Sequence, residues 1–183
     1  MAPDPAHPTP TVPAASDIAF RNAMSRLASG VTVLTCLDPM GRDCALTVTA
    51  VTSVSREPAL VLVCVKQDGF THDAMSVSDG WVLNMLSTEQ LDLSTYAARH
   101  RAPGDRDDLR TWFSHRSPST GAAVLTGTVA TVECVPYSST DGGDHNVMIG
   151  RVVAATAAEL GTPMVHVDRG YWDLGTGLRG SAA

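Results

Sequence analysis

Small hydroxyl side chains are concentrated in one segment of the chain, where they could bind a polar cofactor. Over positions 46–55 these hydroxyl residues alternate with apolar ones. The residues of interest are Leu46, Thr47, Val48, Thr49, Ser53, Val54 and Ser55. After Pro58 the chain becomes wholly apolar over residues 59–65. Hydroxyl groups that enter a core need buried hydrogen-bonding partners, which a bound cofactor would supply. A strand with one solvent-facing side shows the same alternation, so the segment alone leaves both interpretations open.

A second candidate group is Gly142-Gly143-Asp144-His145, at a predicted strand boundary. An imidazole placed there can contact a nicotinamide or stabilise negative charge on a reduced cofactor. The structural alternative is a hairpin tip at which Asp144 caps the turn and His145 begins a strand. Arg169 and Tyr171 offer a phosphate-binding cation and a stacking ring, or only a turn with a solvated arginine.

A flavin fits this set of groups. Its uracil-like edge exchanges hydrogen bonds with backbone groups, its ribityl chain needs hydroxyl partners, and its phosphate needs N–H donors at a helix start. Phe70 and Thr71 open a predicted helix and offer such donors, and Lys66 could add positive charge. Cys64 lies on the strand that leaves the hydroxyl-rich segment. The residues therefore predict a flavin pocket with one histidine at its mouth.

The bulk properties exclude several other classes. The 183 residues suffice for one domain, and a net charge of -6 argues against nucleic acid as a partner. The apolar run at residues 59–65 is too short to span a bilayer. The N-terminus lacks a signal-peptide pattern, and the four cysteines form no CxxC pair, so we expect a cytoplasmic protein with reduced thiols.

Three catalytic or cofactor motifs are absent or out of context. A literal GxGxxG occurs at residues 175–180, but only three residues follow it, too few for the helix that a dinucleotide fingerprint requires. There is no GxSxG nucleophile elbow. No histidine or carboxylate cluster has metal-ligand spacing, so no metal is expected.

The order of elements predicts a mainly β fold with flanking helices. Residues 1–15 are proline-rich and predicted to be a disordered tail, 16–175 a single domain, and 176–183 a flexible C-terminus. A half-buried helix is predicted from the Ser16 cap to residue 28, with Phe20 and Met24 on its inner face. Residues 101–120 are polar and predicted to be a mobile excursion anchored by Trp112 and Phe113. Further strands are predicted at 31–37, 44–55, 59–65, 81–86, 123–135, 146–155, 164–167 and 171–174, and helices at 71–77 and 88–99. Strands without regular intervening helices favour an antiparallel barrel.

An ordered set of short motifs is spread along residues 20–174. They are SGVTVLT (29–35), LTVTA (46–50), SVS (53–55), PALVLVC (58–64), VLNMLS (82–87), VEC (132–134), GDH (143–145), IGRV (149–152) and RGY (169–171). Together they resemble the short-chain flavin reductase domain, an FMN-binding split β-barrel that serves two-component monooxygenases. Position 70 is Phe where relatives often carry Arg, which leaves the choice between FMN and FAD open.

The resemblance implies a role for each matching residue. The flavin ring and ribityl chain would be lined by Leu46, Thr47, Val48, Thr49, Ser53, Val54 and Ser55. The ribityl chain and phosphate would be approached by Val63, Cys64, Val65, Phe70 and Thr71. The nicotinamide of NADH or NADPH would be approached by His145, Arg169, Gly170 and Tyr171.

The same resemblance implies an NAD(P)H:flavin oxidoreductase that passes reduced FMN or FAD to a monooxygenase. Hydride would move from nicotinamide C4 to flavin N5 without an obligatory protein acid or base. Members are typically homodimers with the pocket near the subunit interface. Two alternatives stay open: a flavin-retaining oxygenase or oxidase on the same barrel, and a non-enzymatic flavin- or haem-binding module.

Overall fold

β-strands form most of the regular structure, as the sequence predicts. The computed structural model describes residues 14–99 and 108–175. In chain order the elements are α1 (Asp17–Met24), β1 (Ser29–Gly30), β2 (Thr32–Leu37), β3 (Asp43–Val48), β4 (Val51–Arg56), β5 (Ala59–Lys66), α2 (Phe70–Val77), β6 (Trp81–Met85), a 3₁₀ turn (Thr88–Gln90), α3 (Leu91–Ala97), β7 (Phe113–Arg116), β8 (Ala123–Leu125), β9 (Ala130–Asp141), β10 (His145–Ala157), β11 (Val165–Val167) and β12 (Gly170–Trp172). The predicted tails and the GxGxxG beyond residue 175 lie outside the described residues, apart from Ala14, Ala15 and Gly175.

Seven strands form the main sheet, in the order β3-β2-β6-β9-β10-β5-β4, and every pair in it is antiparallel. β1, β11 and β12 form a separate three-stranded sheet, and β7 pairs with β8. β3 and β4 are therefore the two opposite edges of the main sheet, although they are consecutive in sequence. This arrangement is the split barrel expected from the motifs.

The prediction of one strand over residues 44–55 was wrong. The chain leaves the sheet at Thr49 and Ala50 and crosses from one edge strand to the other. The carbonyl of Ala50 accepts a hydrogen bond from the Cys64 amide at 3.0 Å, which fastens this crossing to β5. The hydroxyl-rich segment is consequently a strand, a crossing and a second strand.

Two hydrophobic clusters cover the two faces of strand β2. Leu34 and Cys36 belong to a cluster with β5, β6 and α2, whereas Val31 and Val33 pack with α3 and β8. Successive side chains of a strand point to opposite faces, so β2 is buried on both sides, including its two threonines, Thr32 and Thr35. This double burial fixes the position of β3, its hydrogen-bonded neighbour, and with it the first half of the candidate site.

Helix α1 begins at the predicted residue but is shorter and more exposed than predicted. The Ser16 hydroxyl caps it by accepting from the Ala19 amide at 3.2 Å. The helix ends at Met24 instead of residue 28, and its predicted inner face is open, with Phe20 59% exposed. Helical periodicity identifies an apolar face, but it cannot show that residues 14–99 and 108–175 leave this face uncovered.

Three further predictions needed correction. The predicted helix over 88–99 is a 3₁₀ turn followed by α3, which ends at Ala97. Residues 101–107 of the polar excursion lie outside the described residues; the rest contains strand β7, and Leu109 is buried more deeply than the predicted anchors Trp112 and Phe113. The predicted strand over 123–135 is interrupted between β8 and β9. Within the described residues, no helix combines the length and apolarity needed to cross a membrane.

Candidate active site

The start of α2 opens onto a cavity of about 190 Å³, which we call the α2 cavity. Four of the residues proposed to bind flavin line it, namely Leu46, Val65, Phe70 and Thr71. Gly69 occupies the N-cap of α2 and supplies no side-chain capping bond, so the first amides of the helix face outward without a side-chain cap. Helix starts with open amides favour anions.

Two basic side chains, Lys66 and Arg99, line the same cavity, together with His72 and Asp68. The Lys66 ammonium is 2.8 Å from the Asp68 carboxylate, and this hydrogen bond raises the pKa of Lys66, which stays charged. Cationic groups beside open helix amides are the donor set that a flavin phosphate requires, so this end of the site fits the phosphate.

His145 lies at the tip of the β9–β10 hairpin, beside this cavity. It is directly opposite Lys66 in the β10–β5 register, so both side chains leave the same face of the sheet. Its Nδ1 is 2.7 Å from the Asp144 carboxylate. That hydrogen bond lowers the pKa of Asp144, and the charge of Lys66 adds to the effect. Gly143, at φ +94°, makes the turn that brings the histidine to this position.

A second, larger cavity of about 570 Å³ lies between α1 and the β3–β4 crossing; we call it the α1 cavity. Thr49 and Arg169, two predicted site residues, line it, together with Phe20, Met24 and His166. Its volume is in the usual range for small-molecule sites. Leu46 in the α2 cavity and Thr49 in the α1 cavity are three residues apart on one extended segment, so the two cavities adjoin the same stretch of chain.

The predicted far wall is a tight hairpin docked on α1. Asp168 and Arg169, at φ +51° and +61°, form the two-residue turn between β11 and β12. The Arg169 guanidinium donates to the Asn22 side chain at 2.6 Å, and the Asp168 amide donates to the Ser25 carbonyl. Arg169 is thus engaged with α1, and Gly170 follows it as the first residue of β12.

Tyr171 and Arg169 line different cavities, although only Gly170 lies between them in sequence. Tyr171 lines a third cavity, near Trp172 and Leu91. Its hydroxyl accepts a hydrogen bond from Ser94 at 3.0 Å, while the Ser94 carbonyl accepts from the Thr47 hydroxyl at 2.7 Å. Tyr171 and Thr47 therefore meet through one residue of α3, and the Thr47 hydroxyl faces this helix.

The remaining predicted site residues are distributed more widely. Ser53 and Ser55 line an apolar cavity of about 560 Å³ that runs along β4 and β5. Val48 and Val63 are buried in the core, Cys64 is half-buried in β5, and Val54 is exposed. The structure therefore brings Leu46, Val65, Phe70 and Thr71 together, with His145 alongside, and does not bring the whole set into one cavity of the isolated chain.

Sequence reasoning missed three side chains of these cavities. His72 and Arg99 line the α2 cavity, and His166 lines the α1 cavity with its ring 5.5 Å from that of Tyr171. Arg99 stands at the end of a predicted helix and carries no signal of its own. His166 is the register partner of Tyr171, which only the pairing of β11 with β12 reveals.

Comparison with known proteins gives concordant results. The flavin reductase like domain family matches residues 24–175. The chain is 33% identical over 153 residues to the reductase component of an FADH(2)-dependent resorcinol hydroxylase from Rhizobium sp. (strain MTP-10005), covering 83% of this chain and 84% of that protein. It is 36% identical over 156 residues to an NADH-dependent FMN reductase from Streptomyces nodosus subsp. asukaensis, covering 85% and 83%.

Among solved structures, the fold is similar to an NADH:FAD oxidoreductase from Streptomyces globisporus C-1027, solved with NAD and FAD fragments. The TM-score is 0.77 at 26% identity, and the alignment covers 85% of this chain and 90% of the other.

Proposed function

The chain belongs to the flavin reductase like domain family, and on this basis we propose that it is an NADH-dependent flavin reductase. It reduces FMN or FAD by hydride transfer from NADH. The observation that carries the proposal is the α2 cavity, where open helix amides and the basic residues Lys66 and Arg99 meet residues of the hydroxyl-rich strand. The NADH-dependent FMN and FAD reductases among its relatives support the same reaction.

The flavin accepts the hydride at N5 and supplies the redox chemistry. The protein contributes binding and alignment. The open amides of Phe70 and Thr71 and the Lys66 ammonium hold the phosphate. Leu46 and Thr49 follow the ring and ribityl chain, and His145 contacts the nicotinamide side. Nδ1–H of His145 donates to the ionised Asp144, which orients the imidazole. The ring can therefore contact the nicotinamide without exchanging a proton.

Reduced flavin then passes to a monooxygenase component. The relative from Rhizobium is the reductase component of an FADH(2)-dependent hydroxylase, which supports this partner class. We expect flavin to bind as an exchangeable substrate, as a reductase that supplies a separate component requires. We also propose a cytoplasmic location, in keeping with four cysteines that form no disulfide.

A second copy of the chain completes the site. α1 exposes Phe20 and Met24, and these apolar side chains line the α1 cavity, where a partner can cover them. The combined Phe20→Glu and Met24→Glu substitutions should convert a dimer to a monomer in analytical ultracentrifugation. Met40→Glu changes a still more exposed apolar residue in the β2–β3 turn and should leave the dimer intact. A monomeric wild-type protein contradicts this part of the proposal.

Steady-state NADH and NADPH oxidation with FMN, FAD and riboflavin tests the activity. We expect turnover with NADH and one or both nucleotides, and gel filtration should remove the flavin. Flavin that stays bound through gel filtration, with turnover of an organic substrate alone, would instead indicate an oxygenase or oxidase. Flavin binding without NADH oxidation would indicate a binding module.

A further inference from the structure

A chain of side-chain hydrogen bonds joins the His145 hairpin to the start of α2. Gln67, in the loop between β5 and α2, donates to Asn146 Oδ1 at 2.7 Å. Asn146 Nδ2 lies 2.9 Å from Nε2 of His72, on the first turn of α2. We call these three residues the Gln67–Asn146–His72 chain. Asn146 is 79 residues from Gln67 and 74 residues from His72 in sequence.

The hydrogen bonds of this chain have one direction. An amide nitrogen can only donate, so His72 Nε2 accepts from Asn146 and the ring proton is on Nδ1. Nδ1 lies 3.2 Å from the Asp73 carboxylate, which accepts it. At the other end, Gln67 Nε2 also donates to the Asp141 carboxylate at 3.2 Å. Rotating the Asn146 amide by half a turn would place its nitrogen against the Gln67 nitrogen, and rotating the Gln67 amide would place its oxygen against the oxygens of Asn146 and Asp141. The contacts therefore specify one arrangement.

This chain acts at both ends of the candidate site. Asn146 directly follows His145, and the Gln67 backbone amide donates to the carbonyl of Asp144 at 3.0 Å. His72 lines the α2 cavity, one residue after Thr71. The position of the imidazole of His145 relative to the start of α2 is therefore set by one main-chain and one side-chain contact, together with the pairing of His145 with Lys66 in the β10–β5 ladder.

Burial shows which link matters more. The His72 side chain is 14% exposed and Asn146 is half-buried, whereas Gln67 is exposed. A hydrogen bond shielded from water resists exchange with solvent, and losing one partner leaves the other unsatisfied. The Asn146–His72 bond is accordingly the side-chain link whose loss would loosen the hairpin against α2, while the β10–β5 ladder still holds it on the sheet.

We propose that Asn146 and His72 are positioning residues for hydride transfer, which hold the hairpin of residues 141–145 against α2 so that His145 stays aligned with the nicotinamide. The inference rests on the proposed reductase function. Neither residue needs to touch the reacting atoms. Small displacements of aligned groups cost large factors in rate, so the effect should appear in kcat more than in flavin binding.

The test compares Asn146→Ala, His72→Leu and His72→Gln with the wild-type protein. Each variant is measured for kcat, for the KM of NADH and of FMN, and for Tm. We expect Asn146→Ala and His72→Leu to lower kcat about tenfold, since a misplaced contact group acts on the rate. Gln at position 72 offers an acceptor in the place of Nε2, and should restore kcat to within about threefold of wild type. His115→Leu, a matched change of an exposed histidine on β7, should leave kcat unchanged.

The outcomes separate this inference from the function on which it rests. A wild-type protein that does not oxidise NADH with any flavin refutes the reductase function. An active wild type with unchanged kcat in Asn146→Ala and His72→Leu refutes positioning. If kcat falls only in proportion to a loss of folded protein, and His72→Gln is as impaired as His72→Leu, the chain is purely structural and the proposal is overturned.

Discussion

Removal of the basic residues around the α2 cavity should weaken FMN binding and leave riboflavin binding unchanged. Riboflavin shares the ring and ribityl chain of FMN but lacks the phosphate, so it isolates the contribution of this cavity. We expect Lys66→Ala and Arg99→Ala each to raise the KM for FMN, because both side chains line the cavity beside the open amides of α2.

The structure sets the size of the effect. The Lys66 side chain is 58% exposed and already paired with Asp68, so its attraction for a phosphate is screened. The Arg99 guanidinium stacks over the Tyr96 ring, 5.6 Å from its centroid, and is also near solvent. Exposed ion pairs change affinity by factors of about two to five, so we expect about fivefold for each variant and about 25-fold for the pair if the effects add.

The assay is steady-state NADH oxidation at low ionic strength, with FMN or riboflavin as the varied substrate. The KM for riboflavin should stay within about twofold of wild type, and the difference for FMN should shrink in high salt. Arg110→Ala removes an exposed arginine bonded to Asp108 and serves as the control. An equal rise in KM for both flavins would refute the assignment of the phosphate to this cavity.

Three further predictions concern the contact histidine and the fold. His145→Ala should lower NADH oxidation at least about tenfold with a KM for FMN within about twofold, measured by steady-state kinetics; unchanged turnover removes His145 from the site. Arg42 lowers the pKa of the buried Asp38 by hydrogen bonding, so this stabilisation is present above the pKa of the unfolded state and lost as pH falls through the lower folded value. Asp38→Asn should accordingly lower Tm by roughly 5 °C at pH 7, with a smaller difference near pH 3, and a constant difference contradicts it. Gly150→Ala places a Cβ 2.6 Å from Trp81 and should cost about 1–3 kcal/mol in urea unfolding, with no loss of stability as the opposing result.

The sequence was a good guide to elements whose signal is local. Ser16 does cap α1, the glycines at 142 and 143 do turn β9 into β10, and the apolar residues of β5 do form a strand. The ordered motifs indicated the split barrel because the family resemblance carries topology that periodicity alone does not.

The arrangement of elements that are distant in sequence could not be predicted from local patterns. The alternation of hydroxyl and apolar residues continues on both sides of Thr49 and Ala50, so no local pattern indicates that β3 and β4 are opposite edges of the sheet. Likewise, Arg99 and His72 join the candidate site only through packing of α3 and α2 around one cavity. The sequence predicts the apolar face of α1, but not its exposure, because exposure depends on what packs against the folded chain.

The most direct test of the central claim is the anaerobic mixing of the purified protein with FMN and NADH in a stopped-flow spectrometer. We expect flavin absorbance at about 450 nm to bleach at a rate that rises with protein concentration, with one NADH consumed for each flavin reduced. Absorbance that stays constant with intact NADH, under conditions in which the protein is folded, would contradict it.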